Sequence, residues 1–165
     1  HARRDYRPTH ARALRTMAAS GLAGEFALIG MAESAVGLVP DKSPRELCVQ
    51  VTLDAIKDAG LTLGEVDGLI TCNAFAEPIM YHAEAVAEYV GWQPRHCVTV
   101  NTGGGTTFMA LNMAAAAIQA GMADTIVVAM ADSFRSFMTR DQAMVVQSSS
   151  GHPHYEQPYG PTVPA

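Results

Sequence analysis

Short apolar runs alternate with helical patterns along the chain from Glu25 onward. Phe26 to Met31 predicts a buried first strand, and Asp67 to Cys72 predicts a second. Cys97 to Asn101 is rich in β-branched residues and predicts a third strand. Asp124 to Ala131 is a continuous apolar run of the kind that central strands of parallel sheets show. The pattern therefore predicts a sheet assembled from strands that are well separated in sequence.

The segments between these strands carry helix signals. Ser43 can cap a helix, Pro44 suits its first position, and Glu46 completes a capping box. Gly60 is placed to end that helix. Further helices are predicted at residues 81–90 and 106–120.

Repeated strand–helix–strand units with short connections predict an α/β fold, in which a mainly parallel sheet is covered by helices on both faces. Beyond Asp132 the pattern gives way to a polar loop. We divide the chain into a basic leader at residues 1–20, predicted to be disordered, a core at 21–135 and the start of a loop region at 136–165. A compact domain rarely ends on a long structureless tail, so the native protein is predicted to continue past Ala165.

Composition and charge narrow the classes of function. Five arginines crowd residues 1–16, so the rest of a chain with net charge −5 is acidic and poorly suited to binding nucleic acid. The apolar runs are too interrupted for a membrane span, and the arginine-rich start lacks the apolar segment of a signal peptide. Cys48, Cys72 and Cys97 show no metal-ligand or redox spacing, which predicts reduced thiols in a cytoplasmic protein.

A run of three glycines, Gly103 to Gly105, separates the third strand from the next helix. It is neither a Walker A loop nor the spaced dinucleotide fingerprint. Glycine permits φ > 0, so a tight strand-to-helix turn is part of its explanation. Successive N–H groups at a helix start also bind anions, which leaves open a role in holding a substrate oxygen. For the hydroxyls of Thr106 and Thr107, capping of the helix is favoured over contact with substrate.

The other reactive side chains have plainer explanations. Each cysteine is predicted to belong to the core, because a buried thiol behaves as a small hydrophobic group. His96 adjoins Cys97, but neighbouring strand residues point to opposite faces, so this pair is not expected to act together. His152 and His154 lie in a proline-rich loop without carboxylate or cysteine support, which argues against zinc. Because loops often carry function, His152 is retained as a candidate residue beside a substrate channel.

The residues around the glycine run resemble the thiolase superfamily. In that family the third strand ends in Val-Asn, and the reactive cysteine lies three residues past the Asn at the start of a helix. Here Val100-Asn101 is followed by Gly104 at that position, and the helix leads into Ala120-Gly121-Met122-Ala123-Asp124, as in the family. Ala129-Met130-Ala131-Asp132-Ser133 takes the place of the family's Gly-x-Glu-x-Met segment. The resemblance covers roughly residues 25–160 and implies the N-terminal half of that fold.

The glycine at the nucleophile position changes the expected chemistry. A thiol at a helix start is stabilised as thiolate by free N–H groups and by the helix dipole. Gly104 offers no such group, so covalent acyl transfer through this position is excluded.

Gly-Gly-Gly-Thr, with Glu156-Gln157-Pro158-Tyr159-Gly160 further on, resembles the sterol-carrier-type thiolase-like branch. Its members are called lipid-transfer proteins or acetyl-CoA acetyltransferases by homology. Some are aldolases that cleave β-hydroxyacyl-CoA side chains in complex with a small OB-fold partner. The resemblance implies a homodimer with third strands paired across the twofold axis, and CoA as part of the substrate rather than a separate cofactor. It also implies catalytic tyrosines downstream of Ala165.

The first functional hypothesis is therefore a retro-aldol lyase acting on a β-hydroxyacyl-CoA. A non-catalytic acyl-CoA or lipid-binding protein and an acyltransferase with another nucleophile are the alternatives. No metal is expected, and neither nucleic acid nor a membrane is an expected partner. Arg135 and Arg140 are candidates by position for the CoA phosphates. The catalytic residues stay unassigned, and the predicted substrate-binding residues are Asn101, Gly103, Gly104, Gly105, Thr106 and His152.

Overall fold

The computed structural model describes residues 24–143 together with residues 152, 154, 155 and 158. The predicted leader at residues 1–20 and most of the predicted loop region lie outside the described residues. The elements in chain order are α1 (Pro44–Asp58), a 3₁₀ turn (Leu63–Glu65), β1 (Gly68–Thr71), α2 (His82–Tyr89), β2 (His96–Thr99), α3 (Thr106–Gln119), β3 (Ile126–Ala129) and α4 (Phe134–Phe137).

The three strands form one parallel sheet in the order β2-β1-β3. Thr71 at the end of β1 lies level with Thr99 of β2 and with Ala129 of β3, so all three strands end at the same edge. The α/β class and the parallel sheet predicted from the sequence are therefore confirmed.

Helices cover both faces of this sheet. On one face Leu69 packs in a core with residues of α1 and α2, among them Cys48 and Val86. The next residue along the strand, Ile70, points to the other face and packs against Ala110 and Ala114 of α3. Leu69 and Ile70 are both fully buried, which is why β1 is apolar on consecutive positions rather than alternating.

Helix α1 begins where its sequence predicts. The Ser43 hydroxyl accepts a hydrogen bond from the Glu46 N–H at 3.2 Å, and the Glu46 carboxylate accepts one from the Ser43 N–H at 2.8 Å. These two bonds form the predicted capping box, with Pro44 at the first helical position. The helix ends at Asp58, just before Gly60, whose φ is +71°.

The prediction of a first strand at Phe26 to Met31 is wrong for the described residues. This segment has no regular secondary structure and pairs with no described strand. It is held to α1 instead: the Met31 N–H donates to the Asp58 carboxylate at 2.9 Å. At Gly30 the segment lies so close to α1 that a Cβ would collide with the backbone of Ala55. An apolar run becomes a strand only where a neighbouring strand accepts its backbone hydrogen bonds, and here a cavity of about 410 Å³ separates it from β3.

The region after Asp132 also departs from the predicted polar loop. A one-turn helix, α4, follows β3, and residues 140–143 are also helical. The Ser136 hydroxyl of α4 accepts a hydrogen bond from the Val39 N–H at 2.8 Å. Helix α4 thereby holds the chain at Val39, after the segment at residues 26–31 that is bound to α1. Within the described residues, no helix has the length and apolar character that crossing a membrane requires.

Candidate active site at the start of helix α3

The turn between β2 and α3 lies at the edge of the sheet where the strands end. In open parallel α/β sheets, ligands bind outside the carboxyl ends of the strands. β2 ends at Thr99 and α3 begins at Thr106, so residues 100–105 make the whole connection. Residues 101–105 are all exposed, which leaves the turn accessible from outside.

Side chains from both ends of the turn fix its shape. The Asn101 side-chain oxygen accepts a hydrogen bond from the Gly103 N–H at 3.2 Å. The Thr106 hydroxyl donates to the Gly103 carbonyl at 2.6 Å and accepts from the Thr102 N–H at 3.0 Å. Gly103 has φ of +67°, a conformation that residues with a Cβ rarely adopt. Gly103 is therefore required by the backbone of the turn.

Gly104 is not required by the backbone in this way. Its φ lies outside the left-handed region, and a Cβ built on it would meet no atom within 4 Å. The same absence of neighbours holds for Gly105. A side chain at position 104 would therefore fit in open space at the start of α3, so its absence leaves room for a bound group.

The start of α3 exposes backbone donors. Gly105 is the N-cap and supplies no side-chain hydrogen bond. The Thr106 and Met109 N–H groups donate to the carbonyls of Gly103 and Gly105, both at 3.1 Å. Within the described part of the chain, the N–H groups of Thr107 and Phe108 have no acceptor. Because the helix dipole reinforces these donors, the first turn of α3 is suited to a negatively charged or strongly polarised oxygen.

A cavity of about 920 Å³ begins beside this first turn. Thr107 and Leu111 of α3 line one side, and the segment at residues 28–37 lines another. Met130, just after β3, completes the wall near Thr107 and its sulfur accepts a hydrogen bond from the Thr107 hydroxyl at 3.4 Å. The first turn of α3 therefore adjoins, at Thr107, a space that is large enough for a sizeable apolar group.

The three cysteines do not replace the missing nucleophile. Burial raises the pKa of the Cys48 thiol to about 12 and that of the Cys97 thiol to about 11. Burial also raises the pKa of Cys72, and the nearby Asp132 carboxylate raises it further. A thiol that holds its proton at neutral pH is a poor nucleophile. Cys48 lies in the core and Cys97 packs against it, as the sequence predicts, whereas Cys72 is half-buried and lies outside the core clusters.

The structure brings together only some of the predicted site residues. Asn101, the glycines and Thr106 form one turn, but the Asn101 oxygen and the Thr106 hydroxyl are engaged inside it. The predicted capping role of Thr106 and Thr107 is wrong, because neither caps α3. His152 packs its ring against Tyr155, with ring centroids 4.8 Å apart, and its place beside the turn remains a prediction. Arg135 and Arg140 are both exposed, and their contact with CoA likewise remains a prediction.

Sequence reasoning missed a polar network on the other side of this edge. The Asp132 carboxylate accepts hydrogen bonds from the backbone N–H groups of Phe75, at 2.6 Å, and Ala76, at 3.3 Å. It thereby fastens the loop after β1 to the end of β3. His82, at the start of α2, is fully buried and its Nδ1 lies 3.1 Å from the Thr71 hydroxyl. The sequence signal for this contact was a histidine, His82, at the start of the helix that follows a strand ending in Thr71.

The parallel sheet, its helical cover and the glycine turn at a helix start together define a class of protein. The chain is similar to proteins of the thiolase-like superfamily. Over 151 residues it is 28% identical to the 17-hydroxy-3-oxo-4-pregnene-20-carboxyl-CoA lyase of Mycobacterium tuberculosis (strain ATCC 25618 / H37Rv), a match that covers 87% of this chain and 38% of the lyase. No family model matches the chain.

Solved structures give the same result. The Ltp2-ChsH2(DUF35) aldolase matches with a TM-score of 0.62 and 26% identity over 83% of this chain and 34% of the aldolase chain. The acetyl-CoA acetyltransferase from Syntrophomonas wolfei matches with a TM-score of 0.59 over 76% of this chain and 32% of its own, at 20% identity. The second likeness concerns the fold alone. The chain thus spans about a third of the length of the proteins it resembles.

Proposed function

We propose that this chain forms part of an acyl-CoA lyase that cleaves a β-hydroxyacyl-CoA thioester by a retro-aldol reaction. The observation that carries the proposal is the open position at Gly104, where a side chain would fit and none is present. A covalent acyl-enzyme needs a nucleophile at this helix start, whereas a retro-aldol cleavage does not. The 28% identity to a pregnene-carboxyl-CoA lyase supports the same class of reaction.

The reaction suits the chemistry of the first turn of α3. A base removes the proton of the β-hydroxyl, the Cα–Cβ bond breaks, and its electron pair passes into the thioester to form an enolate. Cα then takes up a proton, which yields a carbonyl compound and a shortened acyl-CoA. Negative charge builds up on the thioester oxygen during bond breaking, and hydrogen-bond donors fixed in advance stabilise such charge most effectively. The Thr107 and Phe108 N–H groups supply two such donors.

The neighbouring cavity supports a bulky apolar acyl group as the substrate class. Its volume of about 920 Å³ falls within the range of pockets that enclose drug-sized ligands. The lyase of Mycobacterium tuberculosis carries a pregnene-carboxyl-CoA substrate in its name. A polycyclic side-chain thioester is therefore the first substrate to test.

An acyltransferase working through another cysteine is disfavoured by the raised pKa values of all three thiols. A non-catalytic acyl-CoA carrier would use the same open turn. It would bind thioesters and gain stability from them without turning them over.

Two partners belong to the proposal. A protein of the DUF35 type is suggested by the aldolase structure, which contains one. A second copy of the chain is suggested by β2, whose outer edge pairs with no strand among the described residues. Strand edges of this kind favour pairing with another chain.

The test uses the full-length protein, alone and with a DUF35 partner, and several β-hydroxyacyl-CoA thioesters that include a polycyclic one. Release of equal amounts of a carbonyl compound and a shortened acyl-CoA, with no acyl group on the protein by mass spectrometry, is the expected result. Detection of a covalent acyl adduct would indicate a transferase rather than a lyase. Thermal stabilisation by thioesters without any product would replace it by a carrier.

A further inference from the structure

A second polar site lies at the same edge of the sheet, away from the glycine turn. Five buried side-chain atoms of the described residues have no hydrogen-bond partner within the protein, Arg45 Nε and His96 Nε2 among them, and three belong to residues near this edge: His82 Nε2, Asn73 Oδ1 and Ser133 Oγ. The side chain of His82 is fully buried, and Ser133 is 5% exposed. Nearly all buried polar atoms in proteins form a hydrogen bond with either a protein group or ordered water. Three unpaired buried atoms near one edge of the sheet therefore require an explanation.

The topology places the three residues at one edge of the sheet. Asn73 follows β1 by two residues and Ser133 follows β3 by four, and these strands are paired with Thr71 level with Ala129. The Asp132 carboxylate binds the backbone of Phe75 and Ala76, which brings the chain after β3 against the loop after β1. His82 reaches the same place from α2, since its Nδ1 contacts the Thr71 hydroxyl at 3.1 Å.

The hydroxyl of Thr71 fixes which ring nitrogen carries the proton. Its only hydrogen-bond partner among the described residues is His82 Nδ1. If Nδ1 carried the proton and donated it, the buried Thr71 hydroxyl would have no acceptor of its own. The hydroxyl therefore donates to Nδ1, and Nε2 of the neutral ring carries an N–H.

The charged groups around the ring agree with a neutral imidazole. Burial is the dominant influence and lowers the pKa of His82. The carboxylates of Glu77 and Asp132 raise this pKa, and the guanidinium of Arg45 lowers it. Burial prevails, so the ring stays uncharged near neutral pH.

We propose that His82, Asn73 and Ser133 bind one buried water molecule at the carboxyl ends of β1 and β3. The His82 Nε2–H and the Ser133 hydroxyl donate to the water, and the water donates to the Asn73 oxygen. Buried waters typically make about three hydrogen bonds to groups that would otherwise be unsatisfied, and this site offers three. A cation does not fit, because the N–H of His82 would point at it. The described residues also contain no cluster of three metal-ligating side chains.

The water would join the ends of β1 and β3 to the start of α2. The α2 start already connects to β2, because the Thr99 hydroxyl accepts a hydrogen bond from the Ala83 N–H at 2.9 Å. Thr99 is the last residue of β2, two positions before Asn101 and the glycine turn. The proposed water is therefore part of the support behind the candidate site, and it does not depend on the reaction proposed there.

NMR on the full-length protein labelled with ¹⁵N tests the proposal without any substitution. Two-bond ¹H–¹⁵N correlations of the His82 ring should show the proton on Nε2, and a nuclear Overhauser effect should connect the ring to a long-lived water. Ser133→Ala removes one donor to the water and should weaken the water signal while the Nε2–H form persists. A proton on Nδ1, or a ring on Nε2–H with no water contact, would overturn the proposal.

Discussion

Helices α1 and α3 begin in opposite ways. In the first turn of α1 every backbone donor is accounted for: Pro44 has none, Arg45 donates to the Glu77 carboxylate, and Glu46 and Leu47 donate to Ser43. In the first turn of α3 the N-cap is a glycine without a side chain, and the Thr107 and Phe108 N–H groups have no acceptor among the described residues. A closed start serves only the fold, whereas an open start beside a cavity is available to a ligand.

The largest effect, a loss of activity, is expected from adding a side chain at Gly104 at the open start of α3. Gly104→Ala adds a Cβ that meets no protein atom, so the melting temperature should stay unchanged. A misplaced thioester oxygen, however, should lower kcat/KM for the lyase reaction by on the order of 100-fold. Gly64→Ala is the matched control, because its added Cβ is equally free and lies in the 3₁₀ turn. Equal activity of the two variants would show that nothing reacts beside Gly104.

The next largest effect is a loss of stability on substitution of Gly103, which distinguishes this residue from Gly104. Gly103 has φ of +67°, and a residue with a Cβ is strained in that conformation. Gly103→Ala should therefore lower the free energy of unfolding by about 1 to 2 kcal/mol, as measured by urea denaturation. Gly103→Asn should recover part of this loss, because asparagine tolerates the left-handed region. A destabilisation by Gly104→Ala as large as that of Gly103→Ala would contradict the distinction between the two glycines.

A smaller effect is expected from opening α1. Ser43→Ala removes the side-chain half of the capping box and should lower the free energy of unfolding by about 1 kcal/mol. The ratio kcat/KM should be unaffected, since this helix start binds nothing in our account. Ser34→Ala serves as the control for stability only, because among the described residues its hydroxyl bonds only to the adjacent carbonyl of Ala35, and Ser34 lines the proposed substrate cavity. Loss of activity in the Ser43 variant would remove the contrast between the two helices.

The smallest effect concerns pH. The hydrogen bond from the Ser43 backbone lowers the pKa of Glu46 from 4.5, and the Ser43 hydroxyl lowers it further. The stabilisation from this carboxylate is therefore present above pH 4.5 and is lost as the pH falls through the lowered value. Hydrogen exchange in the first turn of α1 should accelerate over that range, while α3 should show no such step. Glu46→Gln should abolish the step, because an amide does not titrate there.

The two helix starts also show what a sequence reveals. Ser43, Pro44 and Glu46 predict the start of α1 correctly because a capping box involves only neighbouring residues. The glycine run predicts the turn, but nothing local shows that Gly103 is needed for its φ and Gly104 only for space. That difference depends on the empty surroundings of position 104, which tertiary structure creates.

Contacts between residues far apart in sequence could not be predicted from the sequence for the same reason. Phe26 to Met31 carries a strand pattern, yet it pairs with no described strand because a cavity lies between it and β3. Asp132 fastens a loop that lies 56 and 57 residues away in sequence, which no local pattern encodes. The role of His82 depends on a hydroxyl from a neighbouring strand.

The central claim is that the open start of α3 receives the thioester oxygen of an acyl-CoA. Titration of the ¹⁵N-labelled full-length protein with a non-cleavable acyl-CoA that lacks the β-hydroxyl tests this directly. The amide protons of Thr107 and Phe108 should shift downfield as they form hydrogen bonds, while those of Arg45 and Glu46 should not move. Saturable binding of the thioester with no shift at Thr107 or Phe108 would contradict the account.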